Sequence, residues 1–272
     1  MTSLDINDPQ RGIYQNIPFD VYKQIPAISN SYLSKLAICP AKAKIEESDT
    51  PSMALGRAIH TLILEGLDAF SSRYIMAPDI DKRTKEGKAE LIRVTLKNYG
   101  KELLTAEQFE KCFAIREAVY SHPAASKMLA DGVTEQTIIF EDRDTKLLCK
   151  ARPDAIPDKN KFLLVDLKTC ADVSERGFSN SILKYKYAMQ GAFYLDGYGS
   201  ATQCFVDSFV FIAVETEPPY MVGCYLLEDE YVGWGRIEYK RLLDLEMKCR
   251  TESKYPHYQD EGLKTIFKPN WL

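Results

Sequence analysis

Two short segments of this 272-residue chain hold residue types that can do chemistry together: Ala151-Arg152-Pro153-Asp154 and Val165-Asp166-Leu167-Lys168-Thr169. If each is a strand, side chains two apart share a face. Asp166 and Lys168 then point one way, and Val165 and Leu167 point into the opposite layer. Lys150, Arg152 and Asp154 share a face by the same rule. Pairing the two strands brings Asp154 close to Asp166. Two carboxylates at short range repel unless one takes a proton or a cation lies between them. Oxygen ligands of this kind suit Mg²⁺ or Mn²⁺. Lys168 is no ligand while charged, but its ammonium can orient a water or stabilise negative charge on a phosphoryl oxygen. Taken singly, Asp-x-Lys also describes an exposed ion pair, and Pro-Asp a common turn. The apolar run Phe162-Leu163-Leu164-Val165 favours a buried strand that ends in charge.

Other residues have weaker claims. Gly56 and His60 stand four apart on a predicted helix, hence on one face, where Gly56 lets another segment approach closely. A lone histidine is more often a hydrogen-bonded residue than a ligand, and His122 and His257 are read that way. Gln190 and Tyr194 share a helix face with Lys186 one turn earlier. Such a stripe can bind phosphate oxygens, or it can be the polar edge of a helix. Glu135 begins a predicted strand and reads as an exposed residue rather than a further carboxylate of the site. Lys82, Arg83, Lys85 and Lys88 alternate with acids, which favours a solvated loop over a DNA contact.

The elements that must position these residues follow from periodicity and punctuation. Ser29 caps a short helix that stops before Cys39-Pro40. A helix is predicted over Met53–Leu64. A charged loop, residues 79–90, leads into another. Thr105 to Gln108 forms a capping box that opens a helix to about Tyr120, and Pro123 starts the next. Thr134–Glu141 and Lys146–Arg152 flank a hairpin turn, and Phe162–Lys168 is a short strand. Ser179 to about Gly199 is helical. Strands Phe205–Val214 and Tyr220–Leu227 and a helix from Asp229 to about Arg250 complete the chain. Helices first, then strands, then a β-α-β-β-α run predict an α/β fold: a central mixed β-sheet flanked by helices, with a helical N-terminal layer. We expect one domain over 1–272, with a core at about 50–250 and the helical layer at about 25–130.

Bulk composition narrows the class. There is no apolar run long enough for a membrane span and no signal-like N-terminus, so a cytoplasmic protein is expected. The net charge of −4 argues against a small, uniformly basic nucleic-acid binder, but a basic channel can sit on an acidic body. The seven cysteines have no Cys-x-x-Cys spacing, which points to ordinary thiols rather than a disulfide framework or an iron–sulfur cluster.

Gly56-x-x-x-His60, Arg152-Pro153-Asp154, Asp166-Leu167-Lys168-Thr169 and Gln190-x-x-x-Tyr194 stand in one order, with an apolar strand before Asp166. This resembles the RecB-like branch of the PD-(D/E)xK nuclease superfamily, with its restriction-endonuclease-like core. From Ile28 through Thr169, and over about residues 25–250, the chain looks like the nuclease domain of RecE-type exonucleases (exonuclease VIII). The resemblance implies that His60, Asp154, Asp166 and the Leu167 backbone carbonyl ligate Mg²⁺, with Mn²⁺ as a substitute. Lys168, Gln190 and Tyr194 would be the catalytic residues: Lys168 would activate or position water, and Gln190 and Tyr194 would contact the phosphate or support the site. It further implies 5′→3′ degradation of linear double-stranded DNA, leaving 3′ single-stranded tails for recombination. The implied partners are a RecT-type single-strand annealing protein and further copies of the chain in a tetrameric ring. Two readings of another class stay open: a non-catalytic DNA-end-binding module of the same fold, and a metal-dependent endonuclease. The chain departs from many RecB-like nucleases at Ala151, where they carry glycine. RecE itself has a long N-terminal extension absent here, which implies an excised domain or a short phage-type version.

Overall fold

Residues 4–45, 50–81, 83–130, 132–157, 162–204, 206–259 and 262–268 are described by a computed structural model. In chain order the strands are β1 (Gly12–Tyr14), β2 (Ile28–Ser29), β3 (Tyr74–Met76), β4 (Glu102–Leu104), β5 (Gly132–Thr134), β6 (Thr137–Glu141), β7 (Leu148–Ala151), β8 (Ala155–Pro157), β9 (Leu163–Cys170), β10 (Ser208–Glu215) and β11 (Val222–Leu226). The helices are α1 (Phe19–Gln24), α2 (Asn30–Ile38), α3 (Pro51–His60), α4 (Gly66–Arg73), α5 (Lys85–Lys97), α6 (Ala106–Ser121), α7 (Pro123–Ala130), α8 (Glu175–Tyr185), α9 (Tyr187–Thr202) and α10 (Asp229–Thr251).

A mixed sheet in the order β11-β10-β9-β8-β5 forms the platform of the molecule. β9 runs parallel to β10, with Asp166 opposite Phe211 and Lys168 opposite Ala213. It runs antiparallel to β8, with Val165 opposite Ala155. The alternation read from the sequence is the alternation of two cores. Leu164 packs with Phe178, Met189 and Phe193 of α8 and α9. Val165 and Leu167 pack on the other side with Ile59, Leu62 and Ile115. Asp166 and Lys168 therefore continue the face that α9 covers.

The mixed sheet and its covering helices are of the expected class. The pattern implied one central sheet, whereas the β6–β7 hairpin belongs to a second sheet in the order β1-β6-β7-β2. Its turn is fixed by Asp142, whose carboxylate accepts from the Thr145 N–H and hydroxyl at 2.9 and 2.8 Å. The chain leaves this sheet at Ala151 and enters the mixed sheet at Ala155. Arg152, Pro153 and Asp154 make the crossing. Proline suits a crossing because it donates no ladder hydrogen bond.

Helix starts follow their caps. The Ser29 side chain accepts from the Tyr32 N–H, and Thr105 with Gln108 completes the capping box. α3 starts earlier than expected, because the Thr50 side chain caps it and Pro51 takes the first helical position. It ends at His60 and passes into one turn of π-helix, Thr61–Glu65. The helix expected from Ser179 to about Gly199 is two helices, broken at Lys186 with φ 57° and ψ 39°. No glycine or proline marks this break, so the sequence concealed it. Of the basic loop, Lys82 lies outside the described residues, Arg83 pairs with Asp81 at 3.0 Å, and Lys85 and Lys88 lie in α5. The expected strand start at Phe205 also lies outside the described residues; β10 begins at Ser208. All seven cysteines are free thiols. Among the described residues no helix is long and apolar enough to cross a membrane.

Candidate active site

A cavity of about 400 Å³ opens where α3, the crossing and β9 meet, and it gathers residues from many elements. His60 comes from the last turn of α3, Asp154 from the crossing, Asp166 and Lys168 from β9, and Gln190 and Tyr194 from α9. Every side chain singled out above for the metal and catalytic roles lines this one space.

Asp154 is held by β9 itself: its Oδ2 accepts the Leu167 N–H at 2.6 Å. His60 Nδ1 lies 3.6 Å from the same oxygen. The Leu167 backbone also acts on the His60 ring, pulling its pKa up against the larger effect of burial. On the next face position, Asp166 Oδ1 accepts from the Gln190 amide at 2.6 Å. Lys168 Nζ stands 2.6 Å from Asp166 Oδ2 as an ion pair. The approach is outside hydrogen-bonding geometry, and this buried oxygen accepts no hydrogen bond. The buried Tyr194 phenol lines the same cavity one turn further along α9. Gln190 thus supports Asp166 from α9. Lys186 does not join this stripe, because the helix break turns it toward Glu238 at 3.7 Å.

Gly56 lines the cavity, yet a Cβ there would sit 3.9 Å from the Thr169 hydroxyl, an ordinary contact. The close approach expected at this glycine is not forced. His122 serves a local purpose: its Nδ1 accepts the Ala125 N–H at 3.3 Å in the first turn of α7.

Glu135 corrects the sequence reading. It lies in the link between β5 and β6, its side chain is 19% exposed, and it faces the cavity rather than solvent. Its backbone is left-handed at φ 55°, and its N–H bonds the Asp154 carbonyl at 3.1 Å. Its carboxylate pairs with Arg152 Nε. The left-handed turn was the missing signal: it takes Glu135 out of the strand on which it had been read as exposed.

Burial shapes the charges. Loss of solvent raises Asp154 well above the carboxylate range, and the Asp166 and Glu135 carboxylates push it further. Burial raises Glu135 as well, against the pull of Arg152. Burial pulls His60 down to about 4, so its imidazole is neutral at physiological pH. For Lys168, burial is the largest single influence and acts to lower the pKa, but Asp166, Tyr187 and Asp154 together outweigh it and the net direction is up. The site therefore holds mutually repelling buried carboxylates, a neutral imidazole with a lone pair, and a firmly charged ammonium. One ligand atom each from His60, Glu135 and Asp154 lie within 4.8 Å of one another, and together they could hold a metal ion.

The family model of a PDDEXK-like domain of unknown function (DUF3799) matches residues 29–262. The chain belongs to this PDDEXK-like family. No protein of curated function matches it. Among solved structures, a candidate exonuclease from Eubacterium rectale superposes with a TM-score of 0.58 at 15% identity, over 89% of this chain and 91% of that one. At that identity the likeness is one of fold. A phage-related exonuclease from Haemophilus somnus 129PT covers 72% of this chain and 95% of its own at 10% identity, with a TM-score of 0.35. An alkaline exonuclease from Laribacter hongkongensis covers 72% and 97% at 15% identity, with a TM-score of 0.27. Neither of these two scores carries an argument. For the PDDEXK-like chain, family and fold thus agree with the order of its motifs.

Proposed function

We propose that this PDDEXK-like protein is a Mg²⁺-dependent exodeoxyribonuclease of the RecE type, acting 5′→3′ on linear double-stranded DNA. The observation that carries the reading is the convergence of His60, Asp154, Asp166 and Lys168 in one cavity. His60, Asp154, Asp166 and the Leu167 carbonyl are the residues that would hold the ion. The donor set fits a hard divalent cation: the carboxylates supply oxygens, the neutral His60 ring supplies a nitrogen, and positive charge would relieve the repulsion among the carboxylates. A bound divalent ion supplies Lewis acidity toward a phosphate oxygen and lowers the pKa of water.

The chain's own residues do the rest. Lys168 stays protonated, so it acts as a fixed positive charge toward the phosphoryl group rather than as a base. Gln190 holds Asp166 in place from α9. Tyr194, buried one turn further along, supports the site. The 3′ tails left behind would be taken up by a RecT-type annealing protein, and a ring of four copies would retain the duplex. These last features rest on the RecE-type resemblance.

The test is digestion of linear duplexes labelled at the 5′ or the 3′ end, with Mg²⁺ and with EDTA as control. The parent protein should release 5′ label first and only with Mg²⁺. Asp166→Asn and Lys168→Ala should each reduce release by at least ~10²-fold, the scale of losing one preorganised electrostatic group. Undiminished release by both variants would falsify the assignment.

A further inference from the structure

We propose that Glu135 is a further ligand of the cation, standing beside His60 and Asp154 and added to the set that includes Asp166 and the Leu167 carbonyl, and that Arg152 is the counter-ion that holds this arm in place. The proposal rests on the metal-dependent reading of the cavity. It adds a residue outside the ordered motifs.

The first observation is distance. The three ligand atoms lie within 4.8 Å of one another. An ion bound at about 2.1–2.5 Å from each ligand keeps its ligands within about 5 Å of each other, so the arms already stand at ligating separation.

The second observation is how Glu135 is fixed. A non-glycine residue in the left-handed region is strained, and such strain persists where the surroundings over-determine it. Here the Glu135 N–H bonds the carbonyl of Asp154, itself a proposed ligand. The contact continues the β5–β8 ladder one step past Thr134 and Ala155. The two acids are thus locked together through their backbones.

The third observation is Arg152. Its Nε meets the Glu135 carboxylate, while its Nη1 donates to the Ile17 carbonyl at 2.7 Å. Arg152 is therefore anchored on a main-chain oxygen independently of Glu135. A guanidinium so anchored can hold the glutamate in the cavity while a cation binds. Asp154, Asp166 and Glu135 together face the two cations Lys168 and Arg152, which leaves charge for a divalent ion to neutralise. The imidazole arm favours a first-row transition ion, so Mn²⁺ should bind more tightly than Mg²⁺.

The experiment titrates Mn²⁺ into the full chain without DNA and reads free Mn²⁺ by electron paramagnetic resonance. Glu135→Gln should weaken Mn²⁺ binding at least ~10-fold, and Glu135→Asp several-fold, while the circular dichroism of both stays that of the parent. Parent-like affinity in folded Glu135→Gln overturns the proposal. If that variant does not fold, Glu135→Asp decides, and parent-like affinity there overturns it. Asp154→Asn in the same titration separates the two readings. Weakened binding in Asp154→Asn with parent-like binding in Glu135→Gln removes Glu135 alone. Parent-like binding in Asp154→Asn removes the metal site itself.

Discussion

His60 shows how one buried residue reports on its surroundings through pH. Burial holds its folded pKa near 4, whereas the unfolded chain takes up a proton near the ordinary value of about 6.5. Above about pH 6.5 both states leave the ring neutral, and the residue has no effect on stability. As pH falls from about 6.5 to about 4, the unfolded state gains a proton that the folded state refuses, so stability is lost. The loss reaches at most ~3 kcal/mol, and less because the ring is still 28% exposed. Asp154 and Glu135 act with the opposite sign, since their raised pKa values favour the folded state on protonation. They are present in parent and variant alike, so the difference between the two proteins reads the histidine together with its coupling to Asp154, 3.6 Å away. His60→Gln should therefore become progressively more stable than the parent, metal-free, as pH falls through this window. Urea unfolding at a series of pH values checks it, and parallel profiles would contradict the burial of the ring. His60 was legible in the sequence through its spacing from Gly56 and its order before Asp154. Glu135 was not, because a left-handed backbone at a non-glycine residue has no signature in a strand-like run.

Gln190 and Tyr194 reach the cavity because α9 is pressed between the two sheets on one side and α10 on the other. The contact is close: a Cβ at Gly235 of α10 would fall 2.1 Å from the Ala188 carbonyl oxygen on α9. Ala188 lies two residues before Gln190, so the crossing point of the helices sets the height of the Gln190 amide over Asp166. On an exposed helix, Gly→Ala would gain up to ~1 kcal/mol in propensity. Here the methyl meets backbone that has no rotamer to yield, and overpacking of this kind costs ~1–3 kcal/mol or more. Gly235→Ala should lower the melting temperature by about 3–10 °C, at roughly 2–4 °C per kcal/mol for a chain of this size. An unchanged or raised melting temperature would argue against the close crossing. Helix starts could be read from Ser29 and Thr105, whose side chains accept backbone N–H groups within their own first turns. The break at Lys186 could not, because its determinants are distant: Lys186 pairs with Glu238, fifty-two residues later.

At the scale of the whole molecule, the site lies where the chain passes between two sheets. Asp154 is in that crossing, Asp166 is on the neighbouring strand, and α1 closes one side. The α1 wall is tied down by Lys150 of β7, whose ammonium donates to the carbonyls of Tyr22, Lys23 and Ile25 at 2.8, 3.0 and 2.8 Å. The order of the motifs could be read from the sequence, but the division into two sheets is set by long-range pairing that local patterns do not encode. The division has a consequence for the substrate. The side chains of Asp154 and Asp166 are 11% and 3% exposed, in the lining of a cavity of about 400 Å³. A space of that size is at the low end for small ligands, and on the nuclease reading it would admit a strand end more readily than the side of a continuous duplex. A terminal nucleotide has no chain beyond it to bend away. With a net charge of −4, the protein also has no uniformly basic surface to hold a duplex side-on. Linearised plasmid should therefore be degraded with Mg²⁺, while the same plasmid as a covalently closed circle should survive, as read by gel electrophoresis over one time course. Equal loss of both forms would mean that a duplex reaches Asp154 and Asp166 without an end, and would favour the endonuclease reading.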